Sequence, residues 1–153
     1  MYNQAFLRSR LQEEIKRAVI YQRPCALIFI DIDNFQKYKQ NFGAIPAEGA
    51  LKRIASLIRS AVSEIDRVAR TGEDEFAILL PEKNKRQAQG VAEDIRKKIE
   101  YSYNEEPDIA KKITVSAGVS ENPVDGVDAS VLFEKAVELV NSAKKQGKNR
   151  IAG

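Results

Sequence analysis

From Gln4 to Tyr21 the apolar residues Phe6, Leu7, Leu11, Ile15, Ala18 and Val19 recur at helical spacing with charged positions between them, which predicts an amphipathic helix. The period then changes. Cys25 to Ile30 is an uninterrupted apolar run of strand length, suited to burial on both faces, and it ends in Asp31-Ile32-Asp33. These carboxylates stand where a sheet would meet solvent. A short helix is expected from Asn34 to Asn41 with Gly43 as its stop. A longer one follows from Ala47 to Val62, entered through Pro46 and burying Leu51, Ile54, Ala55, Ile58 and Ala61.

Asp66 to Thr71 and Asp74 to Leu80 read as two strands separated only by Gly72-Glu73, the length of a tight hairpin loop, and Pro81 closes the second. Lys85 to Ser102 is a helix on Ala88, Val91, Ile95 and Ile99, and the Pro107-containing stretch Tyr103 to Asp108 breaks the pattern. Ile113 to Ser120 reads as a strand, Ala129 to Lys145 as a helix, and Asn149 to Ala152 as a last short strand after Gly147. After the opening helix the order is β-α-α-β-β-α-β-α-β. A hairpin set among crossover helices predicts an α+β fold, a mixed five-stranded sheet with helices packed on it.

The chain has 153 residues, the size of one domain with a real core, so we read residues 1–153 as a single domain. Its net charge of +3 comes from 25 basic and 22 acidic residues without a long block of either sign, which argues against a nucleic-acid partner. No apolar run reaches the length of a membrane helix, and Met1-Tyr2-Asn3-Gln4 lacks the features of a signal peptide. No membrane contact is expected from this segment. The chain has no His, and Cys25 is its only Cys, which excludes histidine bases, Cys/His zinc sites and internal disulfides. Cys25 itself reads as a small core residue. Any metal must take oxygen ligands, which points to magnesium or calcium.

The oxygen ligands on offer are Asp31 and Asp33 at one strand end and Asp74 and Glu75 after the predicted turn. Two such ends can face each other, and clustered carboxylates that hold Mg²⁺ against phosphates are the usual machinery of nucleotidyl transfer. By spacing alone the plainer account is that these acids terminate a strand and solvate a hairpin, since acidic residues are common at strand ends.

Wider segments add to this. Arg70-Thr71-Gly72-Glu73-Asp74-Glu75-Phe76 and the apolar run to Pro81 resemble the signature hairpin of the GGDEF family, the diguanylate cyclases, with one glycine replaced. Asp31-Ile32-Asp33-Asn34-Phe35 resembles that family's Asp-x-Asp-x-Phe strand end, and Gly43, Leu51 and Asp66 fall at its spacings. Thr114-Val115-Ser116-Ala117-Gly118-Val119 is similar to its penultimate core strand. Ala143-Lys144-Lys145-Gln146-Gly147-Lys148-Asn149-Arg150 is similar to its closing motif.

The resemblance implies a ferredoxin-like, adenylyl-cyclase-like palm on which two domains of a homodimer each hold one GTP, with Mg as cofactor, and condense the pair into cyclic di-GMP. By position, Asp31, the Ile32 backbone carbonyl and Asp74 would hold the metal, and Asp74 and Glu75 would be the catalytic pair. Phe35, Lys39, Glu48, Gly72, Lys144 and Lys148 would line the nucleotide, with Lys144 and Lys148 at the terminal phosphates. It also implies a bacterial, cytoplasmic domain excised from a longer signalling protein, whose other domains would be its partners.

Several positions depart from the pattern. The family reads guanine with an Asn and an Asp where this chain has Lys39 and Glu48, so an amide that donates and accepts has become a donor only. The second signature glycine is Glu73, which a type II′ turn with Gly72 first would tolerate, but a carboxylate there repels phosphates. Ala44 and Ala47 replace a His and a Gly in the segment expected to frame the base as a loop. At the family's inhibitory site Asp66 is present, but its Arg partner is Ser63. These departures lead us to expect a catalytically impaired domain that regulates or binds nucleotide. The alternatives are an active cyclase of unchanged or altered base preference and a module for protein interaction or dimerisation alone.

Overall fold

The computed structural model describes all residues 1–153. Its elements, in chain order, are α1 (Gln4–Tyr21), β1 (Cys25–Ile32), α2 (Phe35–Phe42), α3 (Ala44–Ala61), β2 (Arg67–Arg70) and β3 (Glu75–Pro81). They continue through α4 (Lys85–Ser102), a short 3-10 turn (Ile109–Lys111), β4 (Val115–Asn122), α5 (Ala129–Lys145) and β5 (Ile151–Ala152). One five-stranded sheet runs β2-β3-β1-β4-β5. It is antiparallel except for the parallel pair β4/β5, the mixed α+β arrangement that the pattern predicts.

β1 is the central strand, and its period of two divides the core in half. Ala26, Ile28, Ile30 and Ile32 face α3 and α4 on one side. Cys25, Leu27 and Phe29 face α1 and α5 on the other. That two-sided burial is why the run is continuously apolar rather than alternating.

The helices start where local chemistry supplies a cap. Asn3 accepts the Phe6 N–H at 2.8 Å, Asn84 and Gln87 form a reciprocal capping box, and Asp128 accepts the Val131 N–H at 3.0 Å. α3 begins at Ala44 rather than the expected Ala47, with only Gly43 (φ 90°) separating it from α2. Pro46 sits in the first turn, where its missing N–H would have had no helical acceptor. The segment expected to frame a base as a loop, Ala44 to Ala47, is therefore helix, and Ala47 is buried beneath it.

The hairpin also differs from the expectation. Arg70 pairs with Phe76 and the Thr71 N–H donates to the Glu75 carbonyl at 3.0 Å, so the loop is Gly72-Glu73-Asp74 rather than a two-residue turn. Neither Gly72 nor Glu73 has a positive φ, so the II′ geometry is not used and Glu73 meets no backbone penalty. At the other end, Tyr2 donates to the Val68 carbonyl and accepts from the Arg70 N–H, adding a bridge along the edge of β2 that periodicity did not signal.

Candidate functional site

The register of the sheet sets Asp31 on β1 directly opposite Glu75 on β3, with Ser116 of β4 on its other flank. Side chains opposite one another in an antiparallel pair share a face, here the α1/α5 side, and lie within a few ångströms. Burial raises the Asp31 carboxyl above its ordinary range; the Lys144 ammonium opposes this, and the Asp74 and Asp33 charges add to it. Glu75 is likewise raised, first by burial and then by Asp31 and Asp74. Lys144, in the last turn of α5, reaches Asp31 with Nζ 2.8 Å from Oδ2. A cleft of about 560 Å³ opens beside these acids, walled by Phe29 and Glu75 on the sheet and by Phe133, Val137 and Asn141 of α5.

The hairpin tip is tied down from within. Arg70 donates to the Gly72 carbonyl at 3.1 Å and to the Glu73 carbonyl at 2.6 Å. The Asp74 carbonyl accepts the Ile32 N–H at 3.0 Å, joining the tip to the end of β1. A Cβ on Gly72 would lie 2.8 Å from the Glu75 carboxylate, so the glycine leaves room for that side chain to fold over the turn.

The family model for the diguanylate cyclase GGDEF domain matches residues 1–150. The chain belongs to the GGDEF family. It is 30% identical over 158 residues to the response regulator PleD of Caulobacter vibrioides, across 100% of this chain and 34% of that protein. It is 31% identical over 153 residues to the diguanylate cyclase DgcP of Pseudomonas aeruginosa, covering 97% of this chain and 22% of that one. It thus spans about a third or less of these relatives' length. Among solved structures it superposes on the active GGEEF domain of a diguanylate cyclase from Vibrio cholerae with a TM-score of 0.87 and 28% identity, covering 99% of this chain and 96% of the other.

In this GGDEF domain Lys39 and Glu73, two positions that the sequence reading set apart, face each other. Lys39 Nζ lies 3.1 and 3.3 Å from the two carboxylate oxygens of Glu73, and Gln36 Nε2 donates to the same carboxylate at 3.3 Å. The hydrogen bonds from Lys39 and Gln36 hold the Glu73 carboxyl below its ordinary range. The pair bridges α2 to the hairpin. Glu48, one turn into α3, is exposed, and its side chain makes no hydrogen bond or ion pair.

The remaining predicted positions fall in three places. Phe35 is 1% exposed and packs in the core under α2, so it offers no surface to a ligand. Lys148 turns back from the chain's tail and donates to Asn34 Oδ1 at 2.5 Å, which brings it to the end of β1 with Lys144. Asp66 lies at the far end of β2 from the tip, where Oδ2 accepts the Ser63 N–H (2.8 Å) and hydroxyl (2.9 Å) and Lys83 Nζ stands 3.3 Å from Oδ1. Its carboxylate is spent on that local network. The Thr71 hydroxyl, buried at the base of the hairpin, has no hydrogen-bond partner, and the sequence pattern did not single it out.

The donor set at the strand end is all hard oxygen, and its two carboxyls are raised first by burial, a cost to the charged form that a bound cation would offset. No three acidic side chains converge closely enough to enclose an ion by themselves. Mg²⁺, which keeps most of its water and takes one or two carboxylates together with phosphate oxygens, would fit the oxygen donors of Asp31 and Asp74.

Proposed function

We propose that this GGDEF domain binds a purine nucleoside triphosphate, GTP first among them, at the Asp31–Lys144 end of the sheet, and that it acts in cyclic di-GMP signalling mainly as a regulatory nucleotide-binding module with impaired cyclase turnover. One observation supports the reading: Lys144 stands 2.8 Å from Asp31 with Glu75 opposite, groups suited to Mg²⁺ and phosphates, while Lys39, expected at the base, is engaged by Glu73. Asp31, the Ile32 carbonyl and Asp74 would hold Mg²⁺, which when bound supplies charge neutralisation for the phosphates. Lys144 and Lys148 would take the terminal phosphate oxygens through charge-assisted hydrogen bonds. Glu75, whose carboxyl burial raises, is suited to take a proton from an attacking 3′-hydroxyl. Joining two nucleotides needs a second copy of the domain facing the first, so any cyclase activity requires a homodimer.

The test is calorimetry with GTP and Mg²⁺ together with a product assay at high protein concentration. Saturable binding with little or no product is expected, and steady formation of a cyclic dinucleotide overturns the impaired reading. That result would favour a second reading, an active cyclase, for which the joint retention of Asp31, Asp74, Glu75 and Lys144 speaks. Asp74→Ala should then abolish the product that the parent makes from GTP, ATP or a mixture. A titration flat for every nucleotide would leave a module for protein interaction or dimerisation.

A further inference from the structure

Asp33 is 6% exposed, yet its carboxylate is paired with no cation and is held by hydrogen bonds instead. Its Oδ1 accepts the Ser116 hydroxyl at 2.7 Å, and its Oδ2 accepts the Thr114 hydroxyl at 2.7 Å and the backbone N–H of Asn149 at 3.0 Å. Its own N–H donates to the Thr114 carbonyl at 2.9 Å. One buried carboxylate thus ties the end of β1 to the start of β4 and to the tail beyond α5.

That tail is conformationally expensive. Gly147, Lys148 and Asn149 have φ of 126°, 65° and 48°, three consecutive residues in the left-handed half of the map, two of which are not glycine. Each such non-glycine residue costs roughly 1 kcal/mol or more and persists only where its surroundings over-determine it. The surroundings here are specific. Asn149 accepts from Arg96 at 2.8 Å and donates to Glu100, both on α4, while the Lys148 N–H closes α5 on the Ala143 carbonyl at 3.1 Å. The Arg150 carbonyl then accepts the Ala117 N–H at 3.0 Å and leads into β5. The turn aims Lys148 back at Asn34 and keeps the last turn of α5 closed, from which Lys144 reaches Asp31.

We infer that Asp33 is a positioning residue: through the Asn149 N–H it locks the Gly147–Asn149 turn and so delivers the two cations, Lys144 and Lys148, to the carboxylate end of β1. Its binding arm rests on the nucleotide reading above, but its structural arm does not. The variant to compare with the parent is Asp33→Asn, which keeps the shape but sets an amide donor against the incoming donors. Thr114→Val, a near-isostere that withdraws one hydroxyl, is the milder second variant if the first fails to fold.

Amide hydrogen exchange should show Lys148 to Arg150 opening at least about tenfold faster in the variant, with the β1 and α4 amides unchanged. Calorimetry with Mg²⁺ should show affinity for GTP falling by about tenfold or more while that for GMP, which lacks the terminal phosphates, stays the same. Tail exchange at the parent's rate in a folded variant overturns the proposal, as does faster exchange spread evenly over the molecule, which marks a purely structural carboxylate. A parent that binds no GTP overturns the nucleotide reading alone, and the clamp is then decided by the exchange data.

Discussion

On the proposed nucleotide reading, a carboxylate at the hairpin tip would by itself repel phosphates, and a lysine at position 39 would by itself offer a base edge donors only. Glu73 and Lys39 instead neutralise each other across the gap between α2 and the hairpin. Because the pair is exposed, it adds little to stability. Lys39→Asn alone leaves Glu73 without its ammonium, and Glu73→Gly alone leaves a free lysine. The double change should raise GTP affinity by about tenfold or more, and by more than the two single changes combined, as calorimetry on the four proteins would measure. Simple additivity would show that the two positions act independently. Glu75 has the opposite character, since it adds negative charge to a desolvated cluster. Glu75→Gln should therefore raise the Tm at neutral pH while removing whatever catalysis the domain has, the usual conflict between a functional site and stability.

At the scale of elements, α5 places Lys144, and Gly118 places α5. A Cβ on Gly118 would lie 2.2 Å from the Ala136 carbonyl and 2.8 Å from the Val140 nitrogen, backbone atoms that cannot turn aside. The helix rides directly on β4 because this residue has no side chain. Gly118→Ala should push α5 outward, lower stability by roughly 1–3 kcal/mol and lengthen the Lys144–Asp31 contact. Urea unfolding gives the first quantity, and the second would appear as weaker GTP binding beyond that of an equally destabilised variant elsewhere. The hairpin shows the reverse relation, in which side chains set the backbone: Arg70 reaches across to two tip carbonyls and holds a three-residue loop where sequence alone favoured two.

At the scale of the molecule, β1 is shared by both halves of the core, so damage to either half is felt by the whole. Cys25 opens that strand on the α1/α5 side, and burial, with smaller contributions from Glu14 and Glu121, pushes its thiol from 9.0 up to about 12. A group whose value rises on folding holds more protons in the folded state between the two values. Its contribution is therefore complete below about pH 9 and is lost as pH climbs toward about 12. Cys25→Ala should lower stability at neutral pH by roughly 1 kcal/mol while flattening the alkaline limb of a stability-against-pH curve. The native thiol should resist alkylation at pH 8 until the chain is unfolded.

Element types and order followed from the chain itself, because the periods of 2 and 3.6 are written into local apolar spacing. So did the acids at the end of β1 and in the hairpin, and the α1, α4 and α5 boundaries, since these rest on neighbours in sequence such as the capping Asn84 and Gln87. What the local pattern could not contain is contact between residues far apart in the chain. That Glu73 answers Lys39, that Lys144 neutralises Asp31, that Phe35 is core rather than lining, and that Asp33 holds Asn149 are decided by the sheet register and by how closely α5 sits on Gly118. Charge pairing and close packing act through space, and only the folded chain brings these partners within reach.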